Sequence, residues 1–280
     1  MAGRHSKKKQ RVSREKETSQ KRISTGLRHE LTRRSPRPTV MWNWLDLVLI
    51  GATLAIAFFA SSNIMGSTLA QLLPGIGQAT LRLALVLVFY VIEILVVIYI
   101  AHRHNFRFAT LYRLRPVLGD EQVRWYRRMA SVFLSTLLVL FLLILTRAVG
   151  MSWNYLTESI GWLPTSTSDL LTMFGTSTPS MWLAVLCVVV FAPFIEEIIF
   201  RGVFLSTFET IVPSWISVVM TAAIFALYHA SVWAFVLHFF HALALGYLAT
   251  TRKTLWPAIL LHALYNATLI AAALYTAYLV

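Results

Sequence analysis

The feature that most constrains this chain is a succession of apolar segments, each close to the ~20 residues that a helix needs to cross a bilayer. Seven such segments follow one another: 43–62, 80–101, 129–147, 181–203, 213–229, 232–250 and 255–279. Only 13% of the residues are charged and 57% are hydrophobic, whereas soluble domains have about 25% charged residues. A soluble globule is therefore excluded. The sequence predicts an all-α, polytopic membrane helix bundle with about seven transmembrane helices.

Positive charge is concentrated before the first apolar segment. Residues 1–40 contain 13 Lys and Arg against three Glu. Such a composition indicates disorder, and a polybasic stretch beside a span binds anionic lipid on the cytosolic face. The stretch has no aromatic residue to stack on bases, so we expect membrane lipid and not nucleic acid as its partner. We predict a disordered, basic, cytosolic tail over 1–40.

The charges between the segments indicate the topology. Residues 102–128 carry seven Arg, 148–180 carry no Lys or Arg, and Arg252 and Lys253 follow the sixth segment. Because cytoplasmic loops are enriched in Lys and Arg, we expect an integral, multi-pass protein with a cytosolic N-terminus. We place it in a bacterial cell membrane. Residues 41–180 are predicted to form N-terminal transmembrane helices, with an interfacial segment within 102–128, and 181–280 to form the core helices that carry function.

Polar residues inside spans are costly, and each ionisable one is a functional-site hypothesis. The first half of the chain offers Asp46 and Glu93. The last four segments are richer and contain Glu196, Glu197, Arg201, His229, His238, His241, His262 and Asn266. The polarity is therefore concentrated in one part of the sequence.

Helical spacing sorts the acidic cluster. Glu197 and Arg201 are four residues apart, so they face each other on a helix and are predicted to form an ion pair. Glu196 is rotated from Glu197 by about 100°. A second buried carboxylate without a partner of its own is costly, which marks Glu196 as a candidate for chemistry.

The histidines fall into two spacings. His262 and Asn266 share one helix face, and a neighbouring amide can hold an imidazole in one tautomer while the other nitrogen acts on a ligand. His238 and His241 are three residues apart, a spacing that can chelate a metal, although we favour plain packing for both. On the same segment, Gly246 and the nearby alanines 242 and 244 predict close helix contact.

Together these side chains describe a chemical centre inside a bundle. A carboxylate with two imidazoles can activate a water directly, or hold a divalent metal such as zinc that lowers the pKa of bound water. Glu196, His229 and His262 would be the metal ligands, and Asn266 could donate to a developing oxyanion. Peptide-bond hydrolysis needs these roles. Proton relays use similar residues, so a carrier remains an alternative.

Three motifs resemble those of a known family. The stretch "EEIIFR" at 196–201 matches the EExxxR motif of the CPBP intramembrane metalloprotease family, which includes the type II CAAX prenyl proteases, lysostaphin resistance protein A-like proteins and a bacteriocin-processing group. "FALYH" at 225–229 matches its FxxxH motif, and "HALYN" at 262–266 matches its HxxxN. Phe239, Ala242 and Gly246 are similar to its FxxGxxxG element.

The resemblance implies a membrane endopeptidase that cuts near the C-terminus of a membrane-associated or prenylated protein or peptide, with 181–280 as the protease core. It implies Glu196 as water activator and Glu197 as its support. It further implies Arg201 as the residue that orients the pair, His229 and His262 as members of the centre, and Asn266 as oxyanion donor. The alternative is a non-proteolytic protein of the same fold, either a bacteriocin immunity or scaffold protein or a proton-coupled carrier.

One condition must hold for a single centre. If the spans ran fully across the membrane, His229 would lie near the outer surface and Glu196 well inside. Either the fifth span begins within the membrane, or the helix breaks at "HASVW" (229–233), which buried irregular backbone permits where it lines a cavity. We favour the break.

Overall fold

The computed structural model describes residues 42, 44–60, 68, 71–104, 114, 125–162, 178–229 and 231–279. Over these ranges the chain forms helices and no β-strand. The helices are α1 (Trp44–Ala60), α2 (Gln78–Arg103), α3 (Trp125–Ser159), α4 (Thr178–Ile211), α5 (Ser214–Tyr228), α6 (Phe235–Arg252) and α7 (Trp256–Leu279). The predicted all-α bundle is confirmed. The predicted tail over 1–40 and most of the predicted interfacial segment lie outside the described residues.

Four helices, α2, α3, α4 and α7, are long and apolar enough to cross a membrane, judged by length and composition. The other three predicted segments also form helices, but α1 and α5 are shorter and α6 carries polar residues along its 18 positions. The count of seven spans therefore stays a prediction. Two helices are longer than the predicted segments, because α3 covers 125–159 and α4 continues to Ile211.

Local chemistry accounts for several helix ends. Pro257 stands in the first turn of α7, where its missing N–H leaves no helical bond unmade. Gly161 adopts a φ of +74° after α3, and its amide donates to the Glu158 carbonyl at 3.1 Å. Lys253 ends α6 with a φ of 58°. Left-handed residues of this kind satisfy the last free carbonyls of a helix.

Helix α4 is the centre of the bundle. In α4, 56% of the most apolar window is buried, compared with 22% in α2 and 17% in α3. Its side chains Ile195, Ile199 and Phe200 belong to the main buried cluster, where the Phe200 ring meets the Phe225 ring of α5 edge-on at 5.0 Å. Exposed apolar side chains on α3, such as Phe133 and Ile144, suit contact with lipid. The helix that carries the acidic cluster is thus the best enclosed of the three.

Helices α5 and α6 pack closely at a glycine. A Cβ atom built on Gly246 would lie 2.8 Å from Cγ1 of Val218, a distance that no ordinary side chain tolerates. Only a hydrogen at this position allows the two backbones to approach so closely. The close contact predicted from the small residues of α6 is confirmed.

Candidate active site

The acidic pair lies in an irregular part of α4. Glu196 and Glu197 end a six-residue α-helical stretch, Ala192–Glu197, which is flanked by two π-helical stretches, Val185–Phe191 and Ile198–Phe204. Pro193 stands just after the first of these. Proline cannot donate to a carbonyl of the preceding turn and its ring collides with that carbonyl, so a widened turn accommodates it. Single π-turns inside helices are frequent at functional sites.

Arg201 and Glu197 form the predicted ion pair. Nη1 of Arg201 donates to Oε1 of Glu197 at 2.8 Å, and Nη2 donates to the Ala242 carbonyl of α6 at 3.1 Å. The guanidinium also lies over the Phe225 ring, 4.7 Å from its centroid. Glu197 and Arg201 are 0% and 1% exposed. The arginine therefore joins α4, α5 and α6 while it neutralises one buried carboxylate.

His262 connects the two carboxylates. Its Nδ1 donates to Oε1 of Glu197 at 2.9 Å, which leaves Nε2 of the neutral ring as an acceptor. That Nε2 lies 4.0 Å from Oε2 of Glu196, too far for a direct hydrogen bond. The sequence predicted Asn266 as the group that fixes the tautomer, but Asn266 donates instead to the Val188 carbonyl at 2.8 Å. Glu197 fixes the ring because α4 packs beside α7 at this level.

The depth of His229 follows from the lengths of α4 and α5. Glu196 lies about 15 residues before Ile211, where α4 ends, and His229 lies about 15 residues after Ser214, where α5 begins. Both helical stretches are therefore ~22 Å long, and two residues connect them. The chain thus returns along α5 and places His229 at the level of Glu196. The predicted break is confirmed, because α5 ends at Tyr228 and α6 begins only at Phe235.

A cavity of about 390 Å³ joins these side chains. Its wall comes from α2, α4, α5, α6 and α7 and is largely apolar. Its polar lining includes the predicted site residues Glu196, His229, His262 and Asn266, and also His238 and His241. Glu197 and Arg201 do not line it, so they support the site from behind. Of the predicted site residues, the structure thus brings four to the cavity and two to the layer beneath it.

His238 and His241, interpreted from the sequence as packing residues, also face the cavity. The His238 ring stacks on that of His229 at 3.9 Å, with an angle of 23° between their planes. The His241 ring stacks on Tyr265 at 4.1 Å and meets His262 edge-on at 5.3 Å. The signal for both was in the sequence, since their i, i+3 spacing puts them on one face of α6.

Helix α2 contributes residues that the motifs do not cover. Arg82 and Tyr90 line the cavity, and Glu93 is a buried midspan residue whose two carboxylate oxygens have no hydrogen-bond partner in the described part of the chain. Tyr90 and Glu93 are three residues apart on α2, so a helical-face comparison of this span could have grouped them. Their proximity to α4 depends on the packing between helices and cannot be inferred from residue spacing within α2.

Glu196 and the cavity histidines are the side chains that a metal ion in the cavity would meet. Among the residues that the structure covers, no group of three or more His, Cys, Asp or Glu side chains is arranged to hold a metal ion. Glu196, His229 and His262, the predicted ligands, do not form such a group. We therefore derive no step through a metal, and the zinc hypothesis stays a prediction.

Comparison with known families gives one match. Residues 178–268, about a third of the chain, match the family model described as Type II CAAX prenyl endopeptidase Rce1-like. No curated protein and no solved structure gives a significant match. The matched region runs from the start of α4 into α7 and includes all three motifs, which confirms the family resemblance of the sequence. Together with the apolar helices, it identifies an integral membrane protein.

Proposed function

Since residues 178–268 match the Type II CAAX prenyl endopeptidase Rce1-like family model, we propose that this protein is an intramembrane endopeptidase that hydrolyses a peptide bond with water activated by Glu196. The observation that carries the proposal is the 4.0 Å separation between Oε2 of Glu196 and Nε2 of His262 at the cavity wall. Two acceptors at this distance can share one water molecule, as polar groups too far apart for a direct bond often do.

In the chemical step, Glu196 and His262 act on one water molecule. The water donates one hydrogen to Glu196 and the other to Nε2 of His262, so its lone pair is directed at the substrate carbonyl. Glu196 takes a proton as the oxygen bonds to the carbonyl carbon, and the carbonyl oxygen becomes an oxyanion. Glu196 then gives that proton to the amide nitrogen as the C–N bond breaks. A carboxylic acid and an amine are the products.

Glu197 and Arg201 act through His262. Oε1 of Glu197 accepts from both Arg201, at 2.8 Å, and Nδ1 of His262, at 2.9 Å. This arrangement keeps the proton of the neutral imidazole on Nδ1 and the acceptor on Nε2, where the water is held. Asn266 has a second amide hydrogen beyond the one given to Val188, and we assign it to the oxyanion. His229, with Nδ1 on the Phe225 carbonyl at 2.8 Å, has Nε2 left as an acceptor and also lines the cavity.

The substrate that suits this cavity is an apolar peptide segment. A volume of about 390 Å³ falls within the range of ligand pockets, about 300–1,000 Å³. It accommodates a few residues and no folded domain. We propose the C-terminal region of a membrane-associated or prenylated protein or peptide as the substrate, delivered from the surrounding lipid.

Purified full-length protein in detergent micelles tests the proposal. The substrates are two fluorescence-quenched peptides that end in Cys-Val-Ile-Met, one with an S-farnesyl cysteine and one without. Glu196→Gln keeps the shape of the side chain and removes the base, so the cleavage rate should fall on the order of 10²–10⁴-fold. Glu209→Gln, a half-buried residue near the end of the same helix, is the matched control.

The outcomes separate the alternatives. Equal cleavage by wild type and Glu196→Gln contradicts the assignment of the base. Absence of cleavage by the wild type on both peptides favours a non-proteolytic protein of the same fold. Activity lost on chelation and restored by Zn²⁺ favours the metal version, whereas full activity in chelator favours the direct mechanism proposed above.

A further inference from the structure

His241 is the buried histidine whose hydrogen bonds the protein leaves open. Its side chain is 3% exposed and lines the cavity. Neither of its ring nitrogens has a hydrogen-bond partner among the described residues. A buried polar group left unpaired is destabilising. Its place on the cavity wall suggests that a ligand satisfies it.

Each of the other three cavity histidines uses its Nδ1 in a hydrogen bond within the protein. Nδ1 of His262 donates to Glu197, Nδ1 of His229 to the Phe225 carbonyl, and Nδ1 of His238 to the Ala234 carbonyl, at 2.8 to 2.9 Å. In a neutral imidazole only one nitrogen carries hydrogen. Each of these three rings therefore presents an acceptor at Nε2. Among the four, His241 is the ring that can present an N–H to the cavity while it is neutral.

The His241 ring is also fixed in position. One face stacks on Tyr265 at 4.1 Å, and the ring meets His262 edge-on at 5.3 Å. The donor is thus held beside the imidazole to which the proposed water is assigned. A developing oxyanion requires a preorganised donor aimed at the oxygen of the carbonyl whose carbon the water attacks.

We propose that His241 donates a hydrogen bond to the carbonyl oxygen of the scissile peptide, as a second oxyanion donor beside Asn266. This inference rests on the proposed function. The substrate carbonyl oxygen gains negative charge as the water oxygen adds to its carbon, and the N–H of His241 stabilises that charge without transferring its proton. The ring then releases the oxygen when the C–N bond breaks and the carbonyl re-forms.

His241→Phe is the deciding variant. Phenylalanine keeps a ring of similar size for the contacts with Tyr265 and His262 and removes both nitrogens. We expect kcat on the farnesylated peptide to fall about 10²–10³-fold, the effect of removing one oxyanion donor, with KM changed less than about threefold. A phosphinate analogue of the same peptide, which carries a tetrahedral anion, should lose affinity to a similar degree. His241→Gln restores an N–H and should exceed His241→Phe in kcat.

Thermal stability distinguishes a role of His241 as oxyanion donor from a role in packing alone. Because His241→Phe removes unpaired buried nitrogens, its thermal midpoint should equal or exceed that of the wild type while its activity falls. His102→Phe, an exposed residue at the end of α2, is the control for the substitution itself. A kcat within about threefold of wild type, or a loss confined to KM, overturns the inference. If His241→Phe is fully active while Glu196→Gln is inactive, the proposed function stands and this assignment alone fails.

Discussion

Replacing Arg201 by methionine removes three contacts that the structure assigns to one buried guanidinium. These are the 2.8 Å ion pair with Glu197, the 3.1 Å hydrogen bond to the Ala242 carbonyl and the 4.7 Å stack on Phe225. Glu197, which is fully buried, would be left with no arginine beside it. Removing one partner of a buried pair costs about 3–5 kcal/mol, so Arg201→Met should lower the free energy of unfolding by about that amount.

The double variant Glu197→Met/Arg201→Met distinguishes stability from activity. Replacing both members of a buried ion pair by apolar residues of similar volume is often close to neutral, so the double variant should regain most of the stability lost by Arg201→Met. It should remain inactive, because Nδ1 of His262 loses the carboxylate that it contacts at 2.9 Å. Exposed Arg127→Met at the start of α3 is the control and should match the wild type.

Unfolding by SDS titration in mixed micelles, followed by tryptophan fluorescence, measures the stabilities, and hydrolysis of the farnesylated peptide measures activity. If the free energy of unfolding of Arg201→Met is within about 1 kcal/mol of the wild-type value, the buried ion pair does not make the expected contribution to stability. The reasoning is also refuted if the double variant is fully active, because Glu197 would then not be needed to orient His262.

Two further predictions concern packing away from the site. Gly246→Ala should lower the free energy of unfolding by about 1–3 kcal/mol, because the new methyl would lie 2.8 Å from Cγ1 of Val218. Adding Val218→Ala should restore most of the lost free energy of unfolding in the same titration. If it does not, the loss does not come from the close approach of residue 246 to Val218. Asp46→Ala should lower stability by about 1.5–3 kcal/mol, because its buried carboxylate accepts from His104 at 2.8 Å and joins α1 to α2. Its kcat should stay at the wild-type value, since none of the described side chains of α1 lines the cavity. A lost kcat with normal stability would contradict this separation.

The class of fold, and most of the polar side chains that line the cavity, could be predicted from the sequence. Apolar segments of near-spanning length admit only helices, because backbone groups in lipid must bond within their own segment. The ion pair between Glu197 and Arg201 was also predictable, since residues four apart share a helix face whatever surrounds the helix. Proline at the start of α7 and Gly246 on α6 likewise act through local geometry.

Which polar groups contact one another depends on how the helices pack, and this is seen only in the tertiary structure. Spacing predicted that Asn266 fixes the tautomer of His262, whereas Glu197 of another helix does so at 2.9 Å. The level of His229 depended on α4 running on to Ile211, which a hydropathy pattern ending near 203 does not reveal. His238 and His241 became cavity residues because α6 turns that face toward α4 and α7. Periodicity along one helix defines its faces, but the neighbour that each face meets is set by packing between helices far apart in sequence.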